Sequence, residues 1–293
     1  MFDAFTPWRE AWRDYDLGRS LFPWLGALLL AFLATSALWG AVLLFMVLGT
    51  GRYDYIGVLV ASSAAGVVGL LTLGWVLRRL GLERPTLLHG PGWGFDLRAM
   101  FIGAGLMIAA SLGVLGFVAI QNGWPLFEPM ETILADFILI LGLGGIGIWA
   151  FAHLEEVIFR GLLLPALASR MHWIFAVLLS SAAFAIAHIG HRPNDLLSVF
   201  FGGVVLAISV LRTGSLAVAT GGHFGWNFSL NWVLHEDLYD LGFGAETEAS
   251  AVDASFPIES LAIDLLWLTA VWILTPYLRV RAQTSSAMNE PDV

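Results

Sequence analysis

Two acids and an arginine, Glu155, Glu156 and Arg160, stand inside a stretch that otherwise has the composition of a bilayer segment. From Ile133 to Ala168 the chain is dominated by Leu, Ile, Phe, Gly and Ala. A charge at membrane depth costs about 2.5–3.5 kcal/mol on insertion scales, so such charges are paired or functional. On an α-helix Glu156 and Arg160 are four residues apart, share a face and can pair. Glu155 points about 100° away from Glu156 and has no local partner. The three charges can be read as one structural ion-pair cluster. A proton-handling site is the reading favoured here.

Two further apolar stretches carry polar residues of the same chemical kind. One holds His188, at the end of the run 184–188, the other His223 and Asn227, which are four residues apart and so on one helical face. A lone intramembrane histidine can serve helix–helix hydrogen bonding alone. Depth makes the collection more informative. From a turn near Ser169–His172, Glu155 and His188 lie about 15 and 17 residues away, or ~23 and ~26 Å along antiparallel helices. From a turn near Thr213, His223 and Asn227 lie ~15–21 Å along theirs. The groups can therefore converge on one layer.

The elements that would position them are membrane spans. The chain has 293 residues, 58% hydrophobic and 13% charged, with a mean hydropathy of +0.79. That composition predicts an all-α, polytopic membrane protein with no separate soluble domain. Eight transmembrane helices are expected near 21–48, 56–80, 97–120, 133–168, 173–190, 195–211, 215–235 and 258–278. The fourth is too long for one simple crossing, and glycines 142, 144, 145 and 147 are where it would bend. With the N-terminus inside, eleven arginines fall on inside segments, against Arg52 and Arg192 outside and Arg160 in the membrane. This asymmetry places both termini in the cytoplasm.

Residues 1–20 form an expected cytoplasmic interfacial segment, with Phe5, Trp8, Trp12 and Tyr15 at helical spacing. Residues 21–281 form the membrane domain, with its core motif region at 150–230, and 282–293 a disordered tail. Cysteine is absent and all basic residues are arginine. Disulfides and thiolate metal sites are thereby excluded, and a bacterial inner membrane is the expected location. A net charge of −9 argues against nucleic acid as a partner. His153 precedes the acids, but 153–157 lacks the second histidine of an H-E-x-x-H zinc motif. Asn231 and His235 read as packing or interfacial residues, His172 and His191 as turn residues. Asp136 and Asp264 read as near-surface or hydrogen-bonded acids.

Glu-Glu-x-x-x-Arg at 155–160, Phe-x-x-x-His at 184–188 and His-x-x-x-Asn at 223–227, in that order on separate helices, resemble the CPBP family. These intramembrane proteases include the type II CAAX prenyl endopeptidases and the Abi-type bacterial proteins. The resemblance covers about 150–230 closely and the eight-span plan more loosely. It implies an intramembrane endopeptidase with catalytic positions Glu155, Glu156, His188, His223 and Asn227, supported by Arg160 and Phe184. Its partners would be a peptide or protein substrate in or at the membrane, and the lipid bilayer. A prenylated substrate is not expected.

In the mechanism this implies, Glu155 acts as base and His188 helps hold the water. His223 and Asn227 donate to the oxyanion, while Glu156, tethered to Arg160, orients the site. Zinc held by Glu155, His188 and His223 is the metal alternative, since His₂Glu with an open position is a catalytic set. The expectation is a metal-independent enzyme, because Glu155 is needed as base and an amide is a poor zinc ligand but a good donor. Two other readings are a non-catalytic scaffold or bacteriocin-immunity-type protein, and a proton-coupled carrier. The carrier is disfavoured by the absence of internal repeats.

Overall fold

The computed structural model describes residues 6–13, 55–82, 96–121, 142, 144–188, 193–233, 258 and 260–276. Among them every regular element is helical, as expected. The elements are α1 (Thr6–Arg13), α2 (Tyr55–Arg79), α3 (Leu97–Gln121) and α4 (Gly145–Glu156). A π-helical segment (Val157–Leu163) follows, then α5 (Leu164–Ala168), α6 (Trp173–Ala187), α7 (Pro193–Thr213) and α8 (Leu216–Val233). The last is α9 (Ser260–Pro276). The expected span at 21–48 and the tail lie outside the described residues, as do Phe5, Tyr15, Asp136, His191 and His235.

Windows at Leu97–Val114 and Leu196–Thr213 are long and apolar enough to cross a membrane. Large apolar side chains face outward along several helices, among them Leu71, Trp75, Phe101, Phe117, Ile120, Ile186 and Ile273. Such outward faces suit lipid, which asks no polar covering of a helix.

The chain divides into two units. One comprises Tyr15–Arg84 and Glu131–Ile158. Within it α2 packs on α4, and Gly66 makes room: a methyl there would stand 2.9 Å from Ala150 Cβ. The other unit comprises Met1–Asp14, Pro85–Met130 and Phe159–Val293. In it α3 packs on α8, α6 on α5 and α7, α7 on α8, and α1 on α5. Trp12 of α1 is fully buried, so the expected interfacial indole is a core residue.

The α3–α8 pair is a seam of glycines. A methyl on Gly103 would fall 2.5 Å from Val218 O, and one on Gly225 2.7 Å from Ala104 O. A methyl on Gly221 would collide with the Met100 carbonyl. Small residues spaced by four let two backbones touch, and van der Waals packing then holds helices that lipid alone would not drive together.

The α7–α8 turn is two residues long. Gly214 adopts φ +72°, a left-handed conformation that costs glycine little, and its N–H donates to Val210 O. Ser215 Oγ accepts from Ala217 N at 3.2 Å and caps α8.

The long fourth segment is irregular at two places. Two of the glycines expected to bend it, Gly142 and Gly144, stand in π-helical geometry, Gly145 and Gly147 lie in regular α-helix, and a further π-helical run falls at Val157–Leu163. Pro165 follows directly, in the first turn of α5. It has no N–H to offer the carbonyl four residues back, so the hydrogen-bond ladder must be re-laid on its N-terminal side. Arg160 therefore sits in π-helical geometry, with a wider turn than the α-helical spacing used above. π-Turns of this kind gather at functional sites.

Candidate active site

Phe184 is the residue around which the site is built. It is buried on α6, and its ring meets three other rings and one guanidinium of the same unit. His188 lies edge-on at 4.7 Å between centroids, His223 at 5.6 Å and Phe159 at 5.2 Å. The Arg160 guanidinium carbon stands over the ring at 4.2 Å. A desolvated cation–π contact of this kind is worth about 2 kcal/mol.

Arg160 is fully buried. Its Nη2 donates to Gly203 O of α7 at 3.2 Å. Gly203 is needed for that approach: a methyl there would stand 3.1 Å from Ser181 Cβ, 3.3 Å from Arg160 Nη2 and 3.3 Å from Phe184 Cδ1. Gly203 and Ser181 were not singled out from the sequence. The Gly202–Gly203 pair inside an apolar span was the available signal.

His188 closes α6 as its C-cap residue, at φ −97° and ψ 18°. Its Nδ1 lies 2.8 Å from Phe184 O. A carbonyl only accepts, so Nδ1 carries the proton, and Nε2 is the nitrogen that carries the lone pair whenever the ring is neutral. The Phe-x-x-x-His spacing thus does two jobs. The Phe184 backbone fixes the tautomer, and its side chain fixes the ring.

His223 is buried in the middle of α8, where Phe184 forms one wall. Asn227 lies one turn further on, half-buried. Glu155 and Glu156 end α4 and belong to the other unit; Glu156 is fully buried and Glu155 half-buried. His153, on the same helix, stacks on Trp149 at 5.6 Å with planes 4° apart.

The structure thus brings Arg160, Phe184, His188 and His223 around one ring and sets Asn227 on the His223 helix. Residues set aside earlier fall elsewhere. His172 caps α6, Nδ1 accepting from Ile174 N at 3.4 Å. Asp264 is buried rather than near-surface, its carboxylate 3.7 Å from where a Gly202 methyl would be. Among the described residues no three histidine, aspartate or glutamate side chains are grouped as a metal ion would need.

Residues 131–229 match the family model described as Rce1-like, type II CAAX prenyl endopeptidase Rce1-like. The matched segment contains every motif residue from Glu155 to Asn227, which supports the resemblance to the CPBP family. No curated protein and no solved structure matches the chain.

Proposed function

We propose that the protein is an intramembrane endopeptidase that hydrolyses a peptide bond with a water activated by Glu155. The observation that supports this most is the contact of His188 Nδ1 with Phe184 O, which sets the tautomer of a ring packed against the same phenylalanine as His223.

In this mechanism the water donates one hydrogen bond to His188 Nε2, and Glu155 takes its proton as the oxygen attacks the carbonyl carbon. His223 and Asn227, one turn apart on α8, donate to the oxyanion. Glu155 returns the proton to the leaving amine. Glu156 and Arg160 hold charge balance, since neither is tolerable alone when buried. The proposal requires the carboxylate of Glu155 and the two imidazoles to reach one water and its hydrogen bonds. The reaction proceeds without metal. Eight spans, with both ends cytoplasmic, enclose the site, and fusions at residue 245 and at the C-terminus report opposite sides.

The test uses purified protein in detergent with a peptide library, beside proteomics of membranes carrying wild type or Glu155→Gln. Glu155→Gln lowers cleavage at least about a hundredfold, the lower end for loss of a general base, with the thermal midpoint unchanged. Activity survives dialysis against a chelator. Full activity in Glu155→Gln would remove the proposal. Loss to chelation reversed by stoichiometric zinc would replace it with a metalloprotease.

A further inference from the structure

The helix that carries His223 is seated largely by residues outside the family-matched segment. Trp267 of α9 is fully buried. Its Nε1 donates to Gly103 O of α3 at 2.9 Å, joining positions 164 residues apart. The six-membered edge of the same indole lies on Gly222 of α8, where a methyl would collide with Cζ2, Cε2 and Cη2. From the α3 side, a methyl on Gly103 would stand 3.3 Å from Gly222 N. Three helices therefore meet at Gly103, Gly222 and Trp267, with no space for one more carbon. The next residue of α8 is His223.

We infer that Trp267 is a positioning residue for His223, its indole setting the height and rotation of α8 against Gly222 while its N–H locks α9 to α3. The inference rests on the reading of His223 as part of the hydrolytic site. The indole suits the task because it is rigid, large and able to satisfy its own donor on a carbonyl with a second lone pair. A reacting group displaced by about 1 Å can cost a hundredfold in rate, so a seat this tight acts on kcat before it acts on binding.

Gly222→Ala and Trp267→Leu are made singly and together, and Trp267→Phe is the mild variant. Each is assayed for kcat, KM and thermal midpoint. Gly222→Ala is expected to lower kcat about tenfold or more with KM within about twofold, because the loss is of orientation rather than affinity. In the double variant the leucine vacates the space that the methyl needs. Its kcat returns to that of Trp267→Leu alone, a failure of additivity that marks direct contact. Trp267→Phe keeps a ring on Gly222 and stays within about threefold of wild type. Additive losses, or a lowered midpoint with kcat unchanged, overturn the inference.

A second arm needs no catalysis. The chain has no cysteine, so His223→Cys supplies a single thiol whose alkylation by N-ethylmaleimide reports how well position 223 is seated. Trp267→Leu should speed that alkylation about tenfold through local opening, at temperatures below the midpoint of either protein. An unchanged rate overturns the seat. Faster alkylation in a protein whose wild type cleaves no peptide supports the seat and retires the hydrolytic reading alone.

Discussion

His188 and His223 face the same phenylalanine, yet each is held there by a different kind of structure. His188 is fixed within its own helix, by a carbonyl four residues back and by the ring of that same residue. His223 is mid-helix, and what fixes it comes from far along the chain: Phe184 on one side, and the glycine seam with α3 that seats its helix. Local support is cheap in sequence and survives small shifts of neighbouring helices. Distant support is exacting, because it depends on backbones touching where a methyl would not fit. A site made of one histidine of each kind should fail in two distinguishable ways.

The largest effect is expected from Phe184→Ala, which removes the wall that both histidines share. Truncating a buried phenylalanine costs about 3–5 kcal/mol, to be read from denaturation in detergent. The carbonyl that fixes His188 remains, so the loss should fall on Arg160 and His223. Chemical shifts showing the His188 tautomer unchanged in the variant would sharpen the contrast; a switched tautomer would break it. Gly103→Ala comes next. Its methyl meets backbone at Val218 O, which cannot rotate away, and overpacking of this kind costs about 1–3 kcal/mol.

Gly203→Ala should be milder, about 1 kcal/mol, since the atoms it meets are side chains that can give by tenths of an ångström. Its activity loss should track weakened Arg160 anchoring. The smallest effect has the opposite sign. Gly105 lies on α3 two residues from Gly103 and meets nothing within 4 Å. Gly105→Ala should stabilise by about 0.5–1 kcal/mol, the usual helix-interior gain. Equal responses at 103 and 105 would dissolve the distinction between seam and surface.

These same differences decide what could be read from the chain alone. α2, α3, α6, α7, α8 and α9 fall within a few residues of the expected spans, because twenty apolar residues in a row have few alternatives. The Phe-x-x-x-His motif was legible because its bond is local. The π-turn was not: Glu156 and Arg160 were spaced on an α-helix, although Pro165 was in view and its missing N–H disturbs the ladder before it. The seat of His223 was also out of reach. Gly103, Gly222 and Trp267 are separated by many residues, and helices that are apolar on every face carry no periodic stripe to say which side meets which partner.

The bond from Trp267 to Gly103 also has a consequence in time. A chain is made from its N-terminus at about 5–20 residues per second, and its parts fold in that order. Glu155, His188, His223 and Asn227 have all been made before the first residue of α9. For the seconds that separate Asn227 from Trp267, the full set of motif residues exists while α8 still has an open flank. On the proposed reading, the nascent chain in that interval has its chemistry but not its alignment. Completion of α9 is then the event that would switch it on.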